Sequence, residues 1–159
     1  MSNGFIFYES EDIVCIATGN SSNKKTGDEV QTWILYKHEP PNIAIDTGKD
    51  SIICGDCKHR GIVLSLDDAT IYSDMLTTPK KKALLKRIED KRAKGLNSIN
   101  IDRDCYVLVF QAPLAVYKCW KRGGYPTLTP KQAQKRLAYK VVRLGSYGDP
   151  VHVPLEVWN

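Results

Sequence analysis

The chain has 159 residues, 42% hydrophobic and 26% charged, with five cysteines and a formal net charge of +5. That length suits one domain with its own core, and no apolar run approaches the ~18 residues of a membrane span, so no membrane partner is expected. The opening MSNGFIFYES lacks a basic segment followed by a long apolar one, so no secretory signal is expected, and five cysteines in a reducing compartment read as core residues or metal ligands rather than bridges.

Three strand-like runs come first: FIFY (5–8), DIVCIAT (12–18) and EVQTWILYK (29–37), rich in β-branched and aromatic residues. GNSSNKKTGD between the last two reads as an exposed hairpin loop, with phosphate contact by its two lysines as the alternative. HEPPNIAIDTGKDSIICGDCKHRG is too irregular for a helix and is expected to deliver Cys54 and Cys57 on a glycine-containing turn. Residues 62–73 read as a small hairpin, or a strand with a turn.

A helix is predicted from Thr78, as cap, through Pro79 to a stop at Gly95. Its apolar stripe is only Leu84, Leu85 and Ile88, so it is expected to lie on the surface or project. DCYVLVFQ (104–111) reads as a buried strand and PLAVYKCWKRGG (113–124) as a short helix with Leu114, Tyr117 and Trp120 inward. Thr129, Pro130 and Gln132 form a capping-box pattern on a third helix, and KVVRLGS (140–146) reads as another strand. The expected fold is α/β: a mixed sheet of about five or six strands with three main helices, in a single domain over residues 1–159.

Charge is sharply segregated along this order. Residues 1–79 carry 6 Lys/Arg against 12 Asp/Glu, while residues 80–143 carry 17 against 4. A positive segment of that density attracts polyanions, although a solvated lysine-rich face has the same composition. The candidate contacts are Lys80, Lys81, Lys82, Lys86, Arg87, Lys91 and Arg92, then Lys118, Lys121 and Arg122, then Lys131, Lys135 and Arg136. Each phosphate they neutralise would steepen the salt dependence of binding by nearly one unit. No recognition helix or stacking platform is visible, so the pattern fits DNA, RNA or an acidic protein alike.

CGDCKHR (54–60) has the spacing that lets a knuckle turn aim two thiolates at one ion. Cys54 and Cys57 need two further ligands, for which His59 and Cys105 are favoured over Cys119. The metal expected is zinc in a structural role, with an iron–sulfur cluster and free or redox cysteines as alternatives. A redox pair would sit at a helix start, and KHRGIV does not read as one. Cys15 alternates with core residues in its strand. The three histidines form no triad and no H-E-x-x-H site, and no phosphate-binding P-loop is present, so no catalytic residue is nominated. Gly148-Asp149-Pro150 reads as a capping turn, with a metal or substrate contact through Asp149 as the alternative.

The strings TGNSSNKKTGDEVQTWIL, SIICGDCKHRG, DCYVLVFQAPLAVYKCWKRGGYP and VRLGSYGDPVHVPLEVW, in that order, resemble a family of bacteriophage- and prophage-encoded proteins, the gene-product-88 group. Against that family, residues 62–103 form a basic helical insertion, and the chain corresponds to the first part of longer members. The resemblance implies a phage accessory protein acting in the host cytoplasm. Its expected partner is nucleic acid or a host nucleoprotein complex, and inhibition of a host defence system is one form this could take. A metal- or iron–sulfur-dependent enzyme on nucleotides or nucleic acid is the alternative, because relatives of the family look like iron–sulfur radical enzymes.

Overall fold

The computed structural model describes residues 4–19 and 28–158, which leaves most of the expected hairpin loop at 19–28 outside the described residues. β1 (Gly4–Glu9), β2 (Ile13–Thr18) and β3 (Val30–Tyr36) form an antiparallel meander at the three predicted places. β6 (Val142–Tyr147) joins β3 in parallel, giving a mixed sheet of order β1-β2-β3-β6. A second, two-stranded sheet pairs β4 (Ile62–Ser65) with β5 (Ser98–Ile101) antiparallel. The α/β expectation therefore holds, with the six strands divided between two sheets instead of one.

Side-chain alternation separates the two faces of the larger sheet. Phe5, Ala17, Val30 and Val142 share one face and pack against Ala133 and Leu137 of α6 (Pro130–Leu137). Ile6, Ile16, Trp33 and Tyr147 share the other, in one core cluster with Val116 and Tyr117 of α5 (Ala112–Lys121). The chain passes from one face to the other around the β1 edge, where Ile6 N–H donates to Pro126 O at 2.9 Å and Leu128 N–H to Ile6 O at 3.0 Å. α5 and α6 thus lie on opposite sides of the sheet. The capping box of α6 is present as predicted: Thr129 Oγ accepts from Gln132 N–H, and Gln132 returns to Thr129 N–H.

Three sequence expectations are corrected here. Residues 38–61 are not helix-free: α1 (Pro41–Thr47) starts behind Pro40 and stops at Gly48, whose φ of 78° is left-handed, and α2 (Ser51–Cys54) follows. The segment 62–73 is β4 running directly into α3 (Leu66–Ser73), which is capped by Ser65 accepting from Asp68 N–H. The apolar run 104–111 is not a strand. Tyr106, Leu108 and Phe110 point outward at 76%, 48% and 61% exposure, and only Val109 is fully buried. Among the described residues it joins neither sheet, and Val107 and Val109 pack into the main core from an irregular segment. The strand falls instead at Ser98–Ile101, whose alternating Ser-Ile-Asn-Ile is too short, at four residues, to stand out from the sequence.

The basic helix α4 (Thr78–Ala93) is present and lies on the surface, one of the two placements expected. Leu84 and Ile88 are buried in a second small core with Leu66, Ala69, Ile99 and Ile101. β4, α3, α4 and β5 therefore make a βααβ unit over 62–101 that packs its own interior. Thr77, not Thr78, is the residue before the first turn, and its side chain makes no capping bond.

Candidate functional site

The cysteine loop is assembled by one arginine. α2 ends at Cys54, Gly55 (φ 53°) turns the chain, and a 3-10 turn at Lys58–Arg60 brings the guanidinium of Arg60 back under the loop. Arg60 donates from Nη1 to Gly55 O at 2.8 Å, and from Nη2 to Gly48 O at 3.2 Å and to Asp50 Oδ1 at 2.7 Å. Asp50 is fully buried and also faces Arg103, at 3.6 Å. The segment after β5 closes over the loop through Cys105 N–H, which donates to His59 O at 3.2 Å, and through His59 Nδ1 against Asp104 Oδ1 at 2.9 Å.

The result is a pocket of about 150 Å³ at the carboxyl end of β6. It is lined by Cys54, Cys57, His59 and Cys105, the four nominated metal ligands, together with Arg60, Arg103, Tyr147 and Asp149. Residues nearly a hundred positions apart in the chain meet here. Among the described residues, however, no three Cys, His, Asp or Glu side chains are placed to hold one metal ion. Burial, then the charge of Asp50, pushes the Cys54 thiol up to about 12, so it is protonated at neutral pH. Cys119 stands apart, beside Gly124 and Tyr125, and Cys15 is a core residue of β2. Asp149 caps the 3-10 turn Pro150–His152 by accepting from Val151 N–H at 3.0 Å, the capping-turn reading.

Asp50, Arg103 and Tyr147 belong to this site and were missed in the sequence. Asp50 sits between two short helices that were not foreseen. The ring of His152 lies so close to Gly55 that a Cβ there would stand 2.8 Å from Nε2.

The nominated cations fall into three separate places. On α4, Lys91 pairs with Asp46, Lys81 with Asp74 at 2.6 Å and Arg92 with Asp67 at 3.5 Å, and Arg87 donates to Asn100 O at 2.7 Å. Lys80, Lys82 and Lys86 remain exposed without an ion pair among the described residues. On α5, Lys121 lies over the Trp120 ring at 5.0 Å, beside exposed Lys118 and Arg122. On the opposite side of the sheet, Lys131, Lys135 and Arg136 of α6 are exposed, and Lys140 and Arg143 follow on the way into β6.

None of these last five cations has a carboxylate within 4 Å among the described residues. Between them Tyr139 is fully exposed, with a left-handed φ of 62°. Beside α6 runs a groove of about 620 Å³, lined by Phe7, Leu137, Val142, Leu144 and Trp158, with Lys131 at its rim. Phe7 and Trp158 meet there with ring centroids 5.6 Å apart. No helix among the described residues is long and apolar enough to cross a membrane. No protein-family model, curated protein or solved structure matches the chain.

Proposed function

We propose that this chain is a phage accessory protein that binds nucleic acid, free or within a host nucleoprotein complex, along α6 and β6. The observation that carries this is the contrast between the basic segments. Four of the cations of α4 are taken up by Asp46, Asp67, Asp74 and a backbone carbonyl, whereas those of α6 and β6 have no acidic partner among the described residues and flank exposed Tyr139 along the chain. Unpaired cations beside an exposed ring and an aromatic groove suit a single strand, whose phosphates meet the cations while a base stacks. A left-handed backbone at a tyrosine carries strain that a purely structural turn would relieve with glycine or asparagine. Inhibition of a defence complex would follow where such a complex exposes its nucleic acid.

The test is fluorescence anisotropy of a labelled single-stranded oligonucleotide across a salt series. Replacing Lys131, Lys135, Lys140 and Arg143 with Gln should flatten the log–log salt slope by roughly three units, at about 0.7 per phosphate on a single strand. Replacing Lys80, Lys82 and Lys86 should change it less. Equal losses from the two sets, or no binding at low salt, would overturn the assignment to α6 and β6.

A further inference from the structure

Two groups around the cysteine pocket have buried donors with nothing to donate to, and a third has no side-chain hydrogen bond. Tyr147 is 2% exposed and lines the pocket, and its hydroxyl has no hydrogen-bond partner. Arg60 spends both terminal nitrogens on Gly55, Gly48 and Asp50, while its buried Nε–H has no partner. Arg103, with its side chain 14% exposed, makes no side-chain hydrogen bond among the described residues. Its ion pair with Asp50 at 3.6 Å is too long for one. The Tyr147 hydroxyl and the Arg60 Nε–H are buried donors, costly to leave unmade, whereas Arg103 reaches solvent and faces Asp50 Oδ2, which has no hydrogen bond of its own.

Two guanidiniums share the single carboxylate of Asp50. Asp149 turns its carboxylate to Val151 N–H and Asp104 faces His59, and neither stands within 4 Å of an arginine nitrogen among the described residues.

We infer that this pocket binds one oxyanion group, a phosphate or a carboxylate, held by Arg103, the Nε–H of Arg60 and the hydroxyl of Tyr147. Asp50 is the positioning residue that holds the two arginines on the same side. The pocket, of about 150 Å³, opens to solvent. It has room for a phosphate or a carboxylate, free or as the head of a molecule that leaves through the mouth. The site lies at the carboxyl end of β6, beside the parallel strand β3, where α/β sheets hold their ligands. It is independent of the α6 surface.

The experiment is isothermal titration of the full chain with inorganic phosphate and, separately, with acetate, at an ionic strength fixed by sodium chloride. Saturable one-to-one binding is expected. Phosphate alone would assign a phosphoryl group, and acetate a carboxylate. Tyr147→Phe keeps the ring and should weaken binding about tenfold or more, the worth of one hydrogen bond to a charged group. Arg103→Lys should also weaken it, while Lys131→Gln with Lys135→Gln should not. Without anion, Tyr147→Phe should melt higher than the parent, because it removes a buried hydroxyl that has no partner. A lower melting point would show that hydroxyl already satisfied and remove the central donor. No saturable heat with either anion, binding insensitive to both pocket variants, or about one thiolate-bound zinc per chain in protein purified without added metal would each overturn the inference.

Discussion

Lys91, on the most basic helix of the chain, hydrogen-bonds the carboxylate of Asp46 at the end of α1, which is 2% exposed. The other oxygen of Asp46 accepts from Asn100 N–H of β5 at 3.0 Å, so one carboxylate joins the βααβ unit to the rest of the protein. Asp46→Ala leaves Lys91 and Asn100 N–H unpaired and should lower unfolding free energy by about 3 kcal/mol. Asp46→Asn keeps an acceptor for Asn100 and should cost less. Urea melts give the ranking. Lys91→Gln should leave the salt slope of oligonucleotide binding unchanged, because this cation is already spent.

Pairing of this kind explains what was legible in the sequence and what was not. β1, β2, β3, α5, α6 and β6 were marked by local signals, such as β-branched runs, Pro at a first turn and the Thr129–Gln132 box. The segment 104–111 looked like a strand by composition alone, yet strandedness depends on pairing with a neighbouring strand, which composition does not record. Ser98–Ile101 is the reverse case, a strand too short to stand out in the sequence and made by its partner β4. The four nominated ligands line one pocket, but no three of them are placed to hold one ion. The pocket's charged floor was hidden, since Asp50, Arg103 and Tyr147 come from three distant segments. Charge counting found the cations of 80–143 but not their division among α4 and the two faces of the sheet.

Tyr139 offers a separation of stability from binding. Its left-handed backbone costs roughly 1 kcal/mol, which glycine relieves while adding a similar entropy to the unfolded chain. Tyr139→Gly should therefore leave stability within about 1 kcal/mol of the parent. Loss of a stacking ring should nonetheless weaken single-strand binding by about 1–3 kcal/mol. Paired urea melts and anisotropy titrations read the two effects. Unchanged affinity would take Tyr139 out of the interface.

Alkaline pH should destabilise the fold through Cys15. Burial in β2 raises its thiol from about 9 to about 12. Between those values the unfolded chain sheds the proton and the folded chain keeps it, so the folded state binds more protons and stability falls as pH rises. The contribution is complete below about pH 9, and the slope above it approaches about 1.4 kcal/mol per pH unit. Cys54 shifts in the same direction. Cys15→Ala should remove the Cys15 share, giving a shallower fall in the urea midpoint between pH 8 and 10.5. Parallel curves for parent and variant would contradict this.

Two glycines with similar φ should respond very differently to alanine. Gly61 (φ 78°, ψ −168°) lies in a region open almost only to glycine, and its added Cβ would stand 2.6 Å from Asn100 Oδ1 and 2.7 Å from Arg103 N. Asn100 is itself committed, donating to Arg60 O at 2.9 Å and to Ile45 O at 3.2 Å, so it cannot move aside without breaking the junction between the cysteine loop and β5. Gly95 (φ 72°) ends α4 with nothing within 4 Å of its added Cβ. Gly95→Ala should cost only the left-handed backbone, about 1 kcal/mol. Gly61→Ala should cost about 3 kcal/mol or more, with strain and steric conflict adding. The same conflict pushes Arg103 away from Arg60, so folded Gly61→Ala protein should lose phosphate binding while Gly95→Ala keeps it. Equal costs in urea melts would mean that β5 yields to the added methyl, and that the arginine pair does not depend on this close approach.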